Sequence, residues 1–253
     1  MALDRINLSE HIATYEREIY RLVEGQHYIS TRPLVDSDEE HNVLEGLLDA
    51  SKPPAPTRNA CGPLHYLLYT PFRYPPLKSG GRFHTRIEQS IFYGSEELQT
   101  SMAEVAYGRF LFMQHSAAEF EPMQVPYTHF VTAVQSAKAL LLTTMPFSKH
   151  RAALSHPTSY AASQAFGTRM RQEGIELFTY YSARNPDAVN VGLFSVEAFQ
   201  KNKPVKGQDG HWSVYITSDT VEFKRPHLSD NIKESHVFGY ADFCVDGKFA
   251  AAA

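Results

Sequence analysis

Between Gly80 and Glu104 the chain reads GGRFHTRIEQSIFYGSEELQTSMAE, and Arg82, Tyr93 and Glu104 follow one another there at two successive spacings of eleven. Arg82 comes after two glycines, whose backbone can approach a ligand closely, and its planar guanidinium suits bidentate recognition of a phosphate or carboxylate. Tyr93 can stack on a flat ring and hydrogen-bond through its hydroxyl. Glu104 falls in a run, Met102 to Met113, that is apolar around most of a helix, so its carboxylate requires a cationic or hydrogen-bonding partner. Each residue also has a plainer reading. Arg82 fits a solvated loop, Tyr93 a half-buried core position, and Glu104 a structural ion pair with Arg82, Arg86 or Arg109.

Other common chemistries leave no trace. The chain contains no H-E-x-x-H, no EF-hand loop, no G-x-x-x-x-G-K-[ST], no G-x-G-x-x-G and no G-x-S-x-G. Ser182 is therefore not an elbow nucleophile. His150 and His156 are six apart, off a shared helix face, and the twelve histidines are scattered, so no metal site is expected. Cys61 and Cys244 are too few for a tetrahedral zinc site and read as reduced, structural thiols.

The elements that must position these residues belong to a soluble globular chain. Its 253 residues suit one large domain, alone or with an N-terminal extension, and 43% hydrophobic with 21% charged residues is ordinary composition. A net charge of -4 with no long basic run argues against direct nucleic-acid binding. The charged N-terminus lacks the apolar core of a secretory signal, and the longest mostly apolar run, Val131 to Met145, is interrupted by Gln135 and Lys138. These features lead to the expectation of a cytoplasmic protein without a membrane partner.

Along the chain, Ile12, Tyr15, Ile19 and Leu22 stand near helical spacing and predict an amphipathic helix over Glu10 to Glu24. Ser37 and Glu40 have capping-box spacing ahead of a second helix with a stripe of Val43, Leu44, Leu47 and Leu48. Lys52 to Pro63, with four prolines, reads as a linker, and Leu64 to Thr70 as a short strand. Ile91 to Tyr93 is expected as a strand broken by Gly94, with Ser95 capping a helix that runs to about Gln114. Further strands are expected at Met123–Gln135, Ala139–Met145, Ile175–Tyr181 and Val189–Phe194, a helix at Thr158–Glu173 stopped by Gly174, and a hairpin of HWSVYIT with VEFK. Without regular βαβ alternation, this order is α+β.

Taken together, FRYPP (Phe72 to Pro76), GGRF (Gly80 to Phe83), FYGS (Phe92 to Ser95), Ala103-Glu104 and YYSAR (Tyr180 to Arg184) resemble the RES domain, and YRLVEGQH with VDSDEE…LLDASKPP looks like its N-terminally extended form. The resemblance implies residues 1–60 as a helical arm with a Pro-rich linker and 61–253 as a catalytic domain with an ADP-ribosyltransferase-like mixed or split sheet. It also implies a bacterial toxin of a toxin–antitoxin pair that depletes NAD, by hydrolysis or phosphorolysis, and needs no further cofactor. Its partner would be an Xre-like antitoxin, and the assembly either a homo-oligomer or a toxin–antitoxin hetero-oligomer. Carried over residue by residue, Glu104 would face the charge developing on the ribose, Arg82 with Arg73 would hold the phosphates, and Tyr74, paired with Arg73 in its motif, would also bind NAD. Tyr93 would hold the nicotinamide or its ribose, and Ser182 would fix the ribose or orient the other side chains. Transfer of ADP-ribose to a protein is the second reading, and an inert module that binds an antitoxin or a nucleotide is a remote third.

Overall fold

The computed structural model describes residues 3–25, 31–56, 63–117, 120–225 and 234–251. The chain folds as α+β around an eight-stranded mixed sheet, as the element order requires. In chain order its elements are β1 (Ile12–Glu24), α1 (Asp38–Ser51), α2 (Tyr66–Arg73), β2 (Phe92–Ser95), α3 (Leu98–His115) and β3 (Met123–Leu141). There follow the one-turn α4 (Arg151–Leu154), α5 (Ala161–Gln172), β4 (Leu177–Tyr181), β5 (Val189–Leu193), the hairpin β6 (Gly210–Ile216) and β7 (Thr220–Lys224), and β8 (Ser235–Gly239). Two short strands, β9 (Cys244–Val245) and β10 (Lys248–Phe249), pair with each other.

The sheet runs β1-β2-β5-β4-β3-β6-β7-β8, and β1 also pairs with β3, so five strands close a ring. All pairings in it are antiparallel except β3 with β4. Strand β3 is long enough to serve two neighbours. Met123 to His129 pair with β6, and Ala139 to Leu141 pair with β4, so the sheet forks along β3. Both expected strands in this stretch are halves of the one element.

The segment expected as a first helix is strand β1, paired with β3 from Ile12 opposite Leu140 to Glu24 opposite Tyr127. Its apolar residues imitate a helix because they feed two cores. Tyr15 and Ile19 enter a cluster with Phe92, Phe130 and Leu193, while Leu22 joins Met102, Phe110 and Trp212. In a strand, odd and even positions point to opposite faces, so spacings of four and then three arise wherever both faces are covered. The first sixty residues thus contribute a strand to the sheet. Their helical content among the described residues is α1 and short 3-10 turns.

Helix α1 forms where its cap is, with the Ser37 hydroxyl accepting the Glu40 N–H at 3.1 Å and the Glu40 carboxylate reaching back to the Asp36 N–H at 2.9 Å. Its apolar stripe is largely exposed, with Leu44 half-buried and Val43 and Leu47 62% and 64% exposed. The strand expected over Leu64 to Thr70 is instead helix α2. His65 caps it through Nδ1 on the Leu67 N–H, and Leu68 and Phe72, one turn apart, are buried against Phe199 and Phe92. Gly94 does not break β2, and α3 begins after Glu97, so Ser95 is a strand residue rather than its cap. Helix α5, the Gly174 stop at φ +72° and the β6–β7 hairpin fall where expected. Cys244 is a free thiol, and Cys61, with half of the linker, lies outside the described residues.

Candidate active site

A cavity of about 330 Å³ opens among β1, β2, β4, β5, α3 and the loop that carries Arg82. Glu104, from the second turn of α3, lies in its wall. Its Oε1 accepts the Ser182 hydroxyl at 2.8 Å and the Asn190 amide at 2.6 Å. Ser182 sits in the turn after β4, where its oxygen accepts the N–H groups of Arg184 at 3.0 Å and Asn185 at 3.1 Å. With its lone pairs so engaged, the hydroxyl proton is directed at Glu104. The Asn185 amide donates to the Thr100 hydroxyl at 2.9 Å and ties this turn to α3. Ser182 does not line the cavity itself and touches it only through its hydrogen bond to Glu104.

None of the expected arginines pairs with Glu104 among the described residues. Arg109 pairs with Glu24. Arg82, 8% exposed, donates from Nη1 to the His156 carbonyl at 2.8 Å and lies 4.6 Å from the centre of the Tyr160 ring, with both Arg82 and Tyr160 in the cavity wall. The helix therefore accommodates its carboxylate through two neutral hydrogen-bond donors. Two glycines let the Arg82 loop sit where it does. Gly80 has φ +73°, and at Gly167 of α5 a Cβ would stand 2.0 Å from the Phe83 carbonyl oxygen.

Tyr93 of β2 lines the same cavity. Its hydroxyl oxygen accepts the Phe83 N–H at 3.2 Å and lies 3.4 Å from His84 Nδ1. Burial holds the phenol well above its usual pKa, so it remains a neutral donor. Burial, and then the Arg171 charge, push His84 down to about 4, so its ring is neutral near pH 7.

The structure brings Arg82, Tyr93 and Glu104 to one cavity with Ser182 behind the carboxylate. In comparisons with known proteins, the RES domain matches residues 55–216, a span that contains all four of these residues. The chain belongs to the RES domain family. No curated protein matches it. Among solved structures, a chain of the M. tuberculosis MbcT–MbcA toxin–antitoxin complex is similar at 15% identity, covering 81% of this chain and 87% of that one, with a TM-score of 0.43.

Not every residue carried over from the RES motifs reaches the cavity. Arg73 and Tyr74, at the end of α2, are absent from its wall. Arg73 donates to the Pro53 carbonyl and leans on the rings of Tyr69 and Tyr74. The cavity's second guanidinium comes instead from β1, outside the matched RES span. Arg21 lines the wall, donates from Nη1 to the Tyr93 carbonyl at 2.5 Å and lies 4.7 Å from the centre of the Phe92 ring. Its Nε is buried without a hydrogen-bond partner, and no carboxylate pairs with it among the described residues. Burial lowers its pKa to about 10, which leaves it charged near neutrality.

Sequence reasoning missed Arg21 and Asn190. A signal for Arg21 exists in IYRLV once it is read as a strand, because a charge then interrupts a covered face. Asn190, 2% exposed within VNVGL, is a residue type depleted in strand interiors. Three or more metal-ligating side chains do not cluster anywhere among the described residues. No described helix is long and apolar enough to cross a membrane.

Proposed function

We propose that this RES domain protein is the toxin of a bacterial toxin–antitoxin pair and cleaves the nicotinamide–ribose bond of NAD. The observation that carries the reading is one carboxylate, fixed by two donors, sharing a cavity with two guanidiniums that have no carboxylate partner among the described residues. A ligand with adjacent negative phosphates and a centre that becomes positive in the reaction matches that arrangement. The toxin role, and an Xre-like antitoxin as partner, follow from what the family resemblance implies.

As the C–N bond breaks, its electron pair leaves with nicotinamide, and positive charge spreads over C1′ and the ring oxygen of the ribose. A carboxylate already held in place stabilises that charge without reorganising, which is the form of electrostatic help that lowers a barrier most. Glu104 supplies it, and Ser182 fixes its direction. Arg82 and Arg21 bind the phosphates, Arg82 exchanging the His156 carbonyl for a charged acceptor. Tyr93 presents its ring and hydroxyl to the nicotinamide ribose. Water or phosphate then adds to C1′ and loses a proton to solvent, giving ADP-ribose or ADP-ribose phosphorylated at that carbon.

Nicotinamide release from NAD by the purified protein, with and without phosphate, tests the reading and separates hydrolysis from phosphorolysis. Release that Glu104→Gln reduces at least about 100-fold supports it. No release under either condition overturns it. Label passing from NAD to a protein in a lysate, with little free ADP-ribose formed, would favour transfer instead.

A further inference from the structure

Asn190 is an uncomfortable residue for its position. It is the second residue of the five-residue strand β5, 2% exposed, where an amide left unsatisfied costs about 1–3 kcal/mol. Both ends of that amide are engaged. Nδ2 donates to Glu104 Oε1 at 2.6 Å, and Oδ1 accepts the Ser95 hydroxyl at 2.6 Å. Ser95, also 2% exposed, is the register partner of Asn190 across β2 and β5, so the backbone pairing itself places the two side chains together. A carboxylate oxygen accepts, so the amide nitrogen faces Glu104, and the oxygen then faces a hydroxyl able to donate.

We propose that Asn190, locked by Ser95, is a positioning residue. It clamps Glu104 Oε1 from the β5 side while Ser182 clamps it from the β4 side, so that Oε2 is the oxygen presented to the ribose. The proposal rests on Glu104 being the carboxylate that faces the reacting sugar. Four side chains from β2, β5, α3 and the turn after β4 form one chain of hydrogen bonds, Ser95 to Asn190 to Glu104 from one side and Ser182 to Glu104 from the other. Both donors converge on the same oxygen, and neither goes to Oε2. The carboxyl plane therefore has its rotation defined by the protein's own donors.

Replacing the amide by an isosteric acceptor is the sharpest test. In Asn190→Asp, two carboxylates meet at the short Asn190–Glu104 contact and repel until they share a proton. Near pH 7.5 kcat for nicotinamide release should fall about 100-fold with KM for NAD changed less than about threefold, because the phosphate contacts are untouched. Activity should recover at least about tenfold towards pH 5.5, where a shared proton rebuilds the bridge, while the wild type shows no such rise. Arg21, Arg82, Tyr93, Tyr160 and Tyr180 share the cavity in both proteins, so the difference between the two profiles reports on position 190. Ser95→Ala, which removes only the outer lock, should lower kcat by a smaller factor, about threefold to tenfold.

An active wild type with a folded Asn190→Asp of unchanged kcat and pH profile overturns the positioning role. An inactive wild type instead removes the NAD reading, and the crystal structure of Asn190→Leu then decides the positioning role alone. Glu104 rotated away from its present place supports it, and Glu104 unmoved overturns it.

Discussion

Glu104 and the two arginines near it show how differently neighbouring charges are handled. The carboxylate takes neutral donors, and the arginines take carbonyl oxygens and aromatic faces, so none of the three charges is neutralised by an opposite charge among the described residues. Arg21→Met should retain most of the packing on Phe92 yet raise KM for NAD about tenfold or more, checked by steady-state kinetics over NAD concentration. Arg21→Lys should not rescue it, since an ammonium cannot keep the Tyr93 carbonyl and offer a planar fork as well. His84 gives a stability prediction. Its pKa is lowered from 6.5 to about 4 by burial, so the unfolded chain binds the proton more tightly, and the contribution is present above about pH 6.5 and is lost as pH falls towards 4. The acid-side fall in Tm across that window should be shallower in His84→Gln. Arg82, Tyr93, Glu104 and Ser182 were legible because their types and order form a motif. Asn190 was not, since one asparagine amid VNVGL signals nothing until its register with Ser95 is known.

Among the elements, β1 and α1 exchange the roles that their patterns announce. The segment with the helical pattern is buried in the sheet, and the helix with the clean apolar stripe is left uncovered. Ile19→Ala in β1, at a position with no exposure, should cost about 2–4 kcal/mol of unfolding free energy. Leu47→Ser on α1 should cost less than about 1 kcal/mol. Denaturant titration of both variants distinguishes this arrangement from one in which the N-terminal segments form a peripheral arm. Gly167→Ala should act at a distance, because its Cβ would displace the Phe83 backbone and the adjacent Arg82. Its expected signature is a raised KM for NAD with a modest loss of Tm. Periodicity could not reveal β1, because its buried residues switch faces, from the one carrying Tyr15 and Ile19 to the one carrying Leu22, and so lose the alternation that marks a strand covered on one face. The same misreading concealed Arg21, while the hairpin β6–β7 and the caps of α1 depend on local chemistry and were readable.

At the scale of the molecule, the RES span supplies the acid, the tyrosine, one arginine and the serine, and the strand before it supplies the second arginine. The α+β class followed from element order alone. The forked sheet and its closed ring did not, because they arise from long-range pairings, β3 with β6 and β4 for the fork and β1 with β3 and β2 for the ring, that no local pattern encodes. Closing the ring is what places Arg21 against Tyr93, so the site depends on residues that precede the matched domain. The central claim is that this cavity breaks the nicotinamide–ribose bond of NAD through Glu104. The most direct test is the rate of nicotinamide release by the purified protein beside that of folded Glu104→Gln. Release by the wild type is expected, with a loss of at least about 100-fold in the variant and NAD still bound. Equal rates for the two proteins, or no release by either, would contradict it.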